Sequence, residues 1–180
     1  MPSSDQKTPH SGPLAGLRVI ELGTTIAGPF CARLMADFGA EVIKIEPATG
    51  DPVRASSKRI HTKSLYAASL MRNKSLISLN LKSPEGQQIV KDLVAKSDIV
   101  VENFKPGALE AWGLGYEDLE KINPGLIMAR ISGYGMTGPY SERRGYGVIS
   151  EAVSGLRSVI GEPDRPPARV TLRFQNIWGE

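Results

Sequence analysis

The sequence contains a single cysteine, Cys31, in 180 residues. One thiol cannot close an internal disulfide, and neither it nor His10 and His61 falls in zinc-ligand spacing, so a disulfide scaffold and a zinc module are excluded and no metal is expected. Long apolar runs are also missing. Every hydrophobic stretch is broken by a charge, glycine or proline well short of the roughly 20 residues that a membrane-spanning helix needs, so no membrane association is expected. Met1 to Pro13 has neither the apolar centre of a secretion signal nor the Arg-rich pattern of an import leader. Residues 1–13 therefore read as a loose tail, and a cytoplasmic location is expected, with the mitochondrion as the alternative. No G-x-S-x-G elbow, Walker A loop or G-x-G-x-x-G turn occurs, which removes the common hydrolase, NTPase and dinucleotide signatures.

Another absence is local. From Pro52 to Pro84 there is no Asp or Glu, yet Arg54, Lys58, Arg59, Lys63, Arg72, Lys74 and Lys82 all fall there. The net charge is only +3, so it is the clustering that matters. A solvated basic loop is the ordinary explanation, and a site for a small polyanion is the sharper one. Nucleic acid is disfavoured as a partner, because Tyr66 is the one aromatic residue interleaved for base stacking.

What is present describes a globular domain. With 41% hydrophobic and 23% charged residues, a chain this long buries about 70% of its unfolded surface. Leu17 to Leu22 reads as a strand, followed by a Gly-bounded turn (Gly23 to Gly28) and a helix with Pro29 at its start. Phe30, Leu34, Met35 and Phe38 share one face of that helix, and Gly39 stands where a left-handed cap belongs. Glu41 to Ile45 is a second strand, parallel to the first. Leu76 to Leu81 reads as a third strand. Ser83 then caps a helix with Pro84 at its first position and an Ile89, Val90, Leu93, Val94 stripe. Asp98 to Glu102 and Leu126 to Ile131 are further strands, with short helices at Pro106 to Trp112 and Tyr116 to Ile122 between them. Ser132 to Gly147 is a Gly- and Tyr-rich loop, and Val148 to Val153 is helical. This alternation predicts an α/β fold: a Rossmann-like, mostly parallel sheet with flanking helices. Ligands of such sheets sit beyond the carboxyl ends of the strands. Of the single residues there, Cys31 reads as a small packing residue, His61 as a surface residue, and Glu46 and Asp51 as members of a solvated turn.

Several ordered stretches resemble the class III CoA-transferase family, which includes formyl-CoA and carnitine CoA-transferases. They are PLAGLRVIEL, the AGPF turn, LMADFGAEVIKIEPATGD, RNKSLISLNLKSPEG, DIVVENFKPGALE, NPGLIMARISGYGMTGPYSERRGYG and EAVSGL. The resemblance implies transfer of CoA from an acyl-CoA thioester to a small carboxylic acid through an enzyme-bound anhydride and thioester. CoA is then a substrate, with no separate cofactor, and the full-length family is homodimeric. It further implies CoA contacts at Ala27, at Leu79, Asn80, Leu81 and Lys82, and at Asn103, Phe104 and Lys105, with Lys82 near phosphate and Phe104 either stacking on adenine or packing in the core.

The sequence departs from the family pattern at three places. Pro47 stands where the family often has an arginine after the second strand. Tyr146 replaces the histidine of the racemase branch, and a phenol of pKa about 10 is a poor proton shuttle, so racemisation is disfavoured. The family's nucleophilic Asp follows a PPxRV-like stretch; here Pro166 to Val170 keeps that stretch, but the corresponding pair reads Gln175-Asn176. No catalytic residue is thereby assigned, and a catalytically inactive CoA-binding fragment is the alternative function. The expected organisation is a tail over 1–13, an N-terminal CoA-transferase domain over 14–169 ending before the family's second domain, and a divergent segment over 170–180. That divergence is the expected mark of a shifted frame, unspliced intron or truncation, which the transcript across the Arg169 codon would show.

Overall fold

The computed structural model describes residues 11–162 and 164–168. Five parallel strands form the sheet: β1 (Arg18–Glu21), β2 (Glu41–Glu46), β5 (Lys74–Ser78), β6 (Ile99–Glu102) and β7 (Ile127–Arg130), side by side in the order β5-β2-β1-β6-β7. A separate antiparallel pair, β3 (Arg59–Ile60) and β4 (Lys63–Ser64), makes a small hairpin. The Rossmann-like α/β reading holds. β1 is flanked by strands that the chain reaches in opposite directions, so a topological switch point lies between β1 and β6.

Opposite charges meet across the sheet at its register. Arg18 pairs with Glu41 and Glu21 with Lys44 between β1 and β2, and Glu102 pairs with Arg130 between β6 and β7. All three register pairs are also ion pairs. A shift of one residue would break these pairs and turn each strand's apolar set to the wrong face.

Two cores lie on the two faces. Helix α1 (Ala27–Asp37) covers one, where Val19, Val42 and Val101 meet Ala32, Ala36 and Ala40. Helix α3 (Pro84–Val94), with α4 (Ala108–Ala111) and α5 (Tyr116–Glu120), covers the other, over Ile20, Leu22, Ile45 and Val100. The α3 start is as expected: Ser83 Oγ accepts from Gly86 N at 3.1 Å, with Pro84 in the first turn. Gly39, at φ +99°, also takes its expected left-handed place. After the Gly-rich loop, α6 (Gly147–Val153) follows.

Three expectations need correction. α1 does not bury Phe30, Leu34 and Phe38, which are exposed; it approaches the sheet through Gly28, Pro29, Ala32 and Ala36. Small residues let the helix backbone lie close to the strands. Second, the basic segment is not a loop throughout: a 3-10 turn (Pro52–Ala55), the hairpin and helix α2 (Leu65–Met71), capped by Ser64 Oγ to Ala67 N, occupy it. Val53, Ala67, Leu70 and Met71 give it its own small core. Third, β5 starts and ends earlier than expected, which leaves Leu79 to Lys82 as a turn beyond the strand.

The α1 correction has a measurable consequence. Ala32→Leu overfills a closed contact and is expected to cost about 1–3 kcal/mol, whereas Leu34→Ala on the exposed face stays within about 0.5 kcal/mol. Urea unfolding midpoints check this, and the reverse order would contradict the assignment of faces.

Candidate functional site at the carboxyl ends of the strands

Every loop singled out from the sequence leaves a carboxyl end of the main sheet. The turn after β1 is built most tightly. Asn103, just beyond β6, reaches across the switch point: its Oδ1 accepts from Thr24 N at 2.7 Å and its Nδ2 donates to Thr24 O at 3.0 Å. The carboxamide therefore satisfies both backbone groups of one residue in the neighbouring turn. It also lies against Gly23 and Gly28, where an added Cβ would come within 2.7 Å and 2.9 Å of Oδ1. Only glycine at both positions lets the turn close around Asn103.

Beneath the turn is a buried ionic network. Lys44 Nζ donates to Glu21 Oε1 at 2.8 Å and to the Gly23 carbonyl at 2.8 Å, and pairs with Asp51 Oδ2 at 2.9 Å. Lys74 Nζ donates to the other Glu21 oxygen and to the Pro29 carbonyl. Asp51 accepts from Thr25 N at 3.0 Å and Val53 N at 2.9 Å, while its own N–H donates to Glu46 Oε2 at 3.0 Å. Arg54 completes the chain with two hydrogen bonds to Glu46. Glu46 and Asp51, expected in a solvated turn, are thus buried. They tie β2 to the turn after β1.

Ion pairs also reassign part of the basic segment. Arg54, Arg72 and Lys74 are held by Glu46, Asp37 and Glu21, so their charge is spent on the fold. Burial lowers the Lys74 pKa, with the Glu21 carboxylate opposing the shift. Lys58, Arg59, Lys63 and Lys82 are exposed or half-exposed and appear in no ion pair of the described residues. They are the part of the positive field that no carboxylate of the described residues neutralises.

The remaining expected site residues divide. Ala27 is exposed at the first position of α1, whose N-terminus has no side-chain cap. Leu79 and Leu81 pack on the α3-side core, leaving Asn80 and Lys82 exposed; the Lys82 amide donates to Asn80 Oδ1 at 3.1 Å. Gly86 is needed there, because an added Cβ would sit 2.1 Å from the Asn80 carbonyl. Phe104 is half-buried against the same core, edge-on to Trp112 with centroids 5.6 Å apart. Lys105 is exposed. Asn103 lies against Gly28, the residue after Ala27, at the switch point, while the 79–82 turn follows β5, about 14 Å from β6 at ordinary strand spacing. Tyr146 is exposed at the start of α6. Gln175 and Asn176 lie outside the described residues.

Other reactive groups are quiet. Burial, with the Glu21 carboxylate, pushes the Cys31 thiol above its ordinary value, so it stays protonated near neutrality, in keeping with a packing residue. His61 sits exposed on the hairpin. Among the described residues no cluster of His, Cys, Asp or Glu could hold a metal ion, and no helix is long and apolar enough to cross a membrane.

The family model described as CoA-transferase family III matches residues 14–178. The chain belongs to that family. Among curated relatives, this family III chain is 53% identical over 171 residues to succinyl-CoA–D-citramalate CoA-transferase of Chloroflexus aurantiacus, covering 94% of the chain and 42% of the relative. It is 47% identical over 167 residues to succinyl-CoA:glutarate CoA-transferase of Mus musculus, covering 92% and 38%. A crystal structure of a CAIB/BAIF family protein from Brucella suis superposes with a TM-score of 0.84 at 39% identity, covering 93% of this chain and 46% of that one. The chain spans about two fifths of the curated relatives it matches.

The resemblance brings in Asn103 but gives no sign of the ionic network beneath the turn that it clamps. A signal was available: aligning the two strands in parallel sets Glu21 opposite Lys44.

The network carries a pH signature. Burial raises the Glu46 pKa, but the Arg54 guanidinium and the Asp51 amide outweigh it and hold the carboxyl below its ordinary 4.5. A depressed carboxylate stabilises the fold fully above the unfolded pKa and loses that contribution as pH falls through the folded value. Urea midpoints should therefore fall steeply below pH 4.5, and less steeply in Glu46→Gln; an identical slope in the two proteins would contradict the pairing.

Proposed function

We propose that the chain is the CoA-binding part of a transferase that moves CoA from an acyl-CoA thioester to a small carboxylic acid. The Asn103–Thr24 clamp carries this reading: it fixes two loops and the uncapped start of α1 at the switch point, where α/β sheets take ligands. Lys82 and Lys105, exposed beyond the carboxyl ends of β5 and β6, supply charge for a phosphorylated ligand. Relatives named for succinyl-CoA with D-citramalate, L-malate or glutarate support a succinyl donor and a small hydroxy- or dicarboxylic acceptor.

The chemistry needs a carboxylate nucleophile. Its oxygen attacks the thioester carbonyl, forming an anhydride and releasing CoA thiolate. The thiolate then attacks the enzyme-side carbonyl, giving an enzyme thioester and releasing the donor acid. The acceptor carboxylate attacks that thioester, and the thiolate released reopens the new anhydride on the acceptor side, restoring the enzyme carboxylate. A neutral amide at the position expected for the nucleophile, Asn176, supports a second reading: CoA binding without turnover.

Calorimetry with CoA tests the shared part. CoA is expected to bind, and Asn103→Ala to weaken it by about tenfold, because removing the carboxamide leaves Thr24 unpaired. A folded chain with no heat of binding, or one preferring an oligonucleotide, would overturn both readings. Incubation with succinyl-CoA followed by hydroxylamine separates them: a hydroxylamine-sensitive CoA adduct supports the transferase, and binding without an adduct selects the fragment.

A further inference from the structure

Thr25 is a β-branched residue at φ +67°, in the left-handed region. A β-branched side chain there is a genuine outlier that persists only when its surroundings hold it. The holding group is visible. Both Asp51 carboxylate oxygens lie within hydrogen-bond reach of Thr25 N, at 3.0 Å and 3.2 Å. That carboxylate is itself fixed by Val53 N, by Lys44 Nζ and, through its own amide, by Glu46. It is 2% exposed and comes from the loop after β2, so it reaches the turn from the side opposite Asn103.

We infer that Asp51 is a positioning residue: it holds Thr25 in the left-handed conformation and so presents the 24–27 backbone to the ligand at the switch point. Asn103 fixes Thr24 and Lys44 fixes the Gly23 carbonyl, which leaves Thr25 as the residue whose backbone is set against its own preference. Without the carboxylate, its amide loses its partner and the residue relaxes toward negative φ, turning the peptide before Ile26 and Ala27. Ligand affinity then depends on a residue with no ligand contact of its own. This inference rests on the CoA-binding reading for its affinity readout, and its conformational part stands apart from that reading.

The test is a rescue. Asp51→Ala is expected to weaken CoA binding by about tenfold, the order of the strain it releases. Adding Thr25→Gly to Asp51→Ala should restore most of that loss, because glycine occupies positive φ without the steric strain of a β-branched side chain. A general loss of packing would not be repaired by a glycine. Should Asp51→Ala fold poorly, Asp51→Asn keeps the shape and one acceptor and is expected to show a smaller loss with the same rescue. Hydrogen exchange at the Thr25 amide, read without ligand, should quicken in Asp51→Ala. Unchanged CoA affinity and unchanged exchange in the folded variant would overturn the inference, as would a double variant no tighter than Asp51→Ala. If the parent chain binds no CoA yet exchange at Thr25 quickens in the variant, the functional reading fails and the conformational role of Asp51 stands.

Discussion

A lysine ammonium with no solvent exposure sits where two carboxyl-end loops and two strands meet. Lys44 could not be there alone, since an unpaired buried charge costs several kcal/mol after relaxation. Glu21 and Asp51 each form an ion pair with it, and the Gly23 carbonyl accepts a further hydrogen bond from it. Such a cluster adds little net stability compared with apolar packing; what it fixes is geometry, because losing any one partner strands the others. The turn after β1, the loop after β2 and the start of α1 are therefore set by one arrangement of charge.

That arrangement meets a second clamp at the switch point. Asn103 comes from the opposite half of the sheet and closes on the same turn. The turn is held by its backbone from both sides, while the first turn of α1 keeps an uncapped end and the small residues Ala27 and Gly28. Rigid backbone, an uncapped helix start and solvent-facing lysines suit an anionic ligand that an apolar pocket would reject.

The order of strands and helices was legible because each element carries its own local signal. Ser83-Pro84 opens a helix by capping and fixed φ, and Gly39 closes one by tolerating positive φ. The large residues of α1 share a face, but the small ones, Gly28, Ala32 and Ala36, are those that pack on the sheet, and spacing alone does not distinguish the two faces. Glu46 and Asp51 were misread for a different reason. Their burial depends on Lys44, Arg54 and Thr25, which the fold gathers from two separate stretches of chain. Likewise the acid-free segment looked uniformly basic, although Arg72 and Lys74 find acids more than thirty residues away. Asn103 was reached through resemblance, and its role as a clamp emerged only from the fold.

Titrating the folded, isotopically labelled chain with CoA while following backbone amide resonances tests the account most directly. A single surface built by the Lys44 network and Asn103 predicts that amides of residues 24–28 and 103–105 shift together with those of 80–82, along one binding curve. Shifts confined to the basic hairpin at 58–63, or to the exposed face of α1, would contradict it.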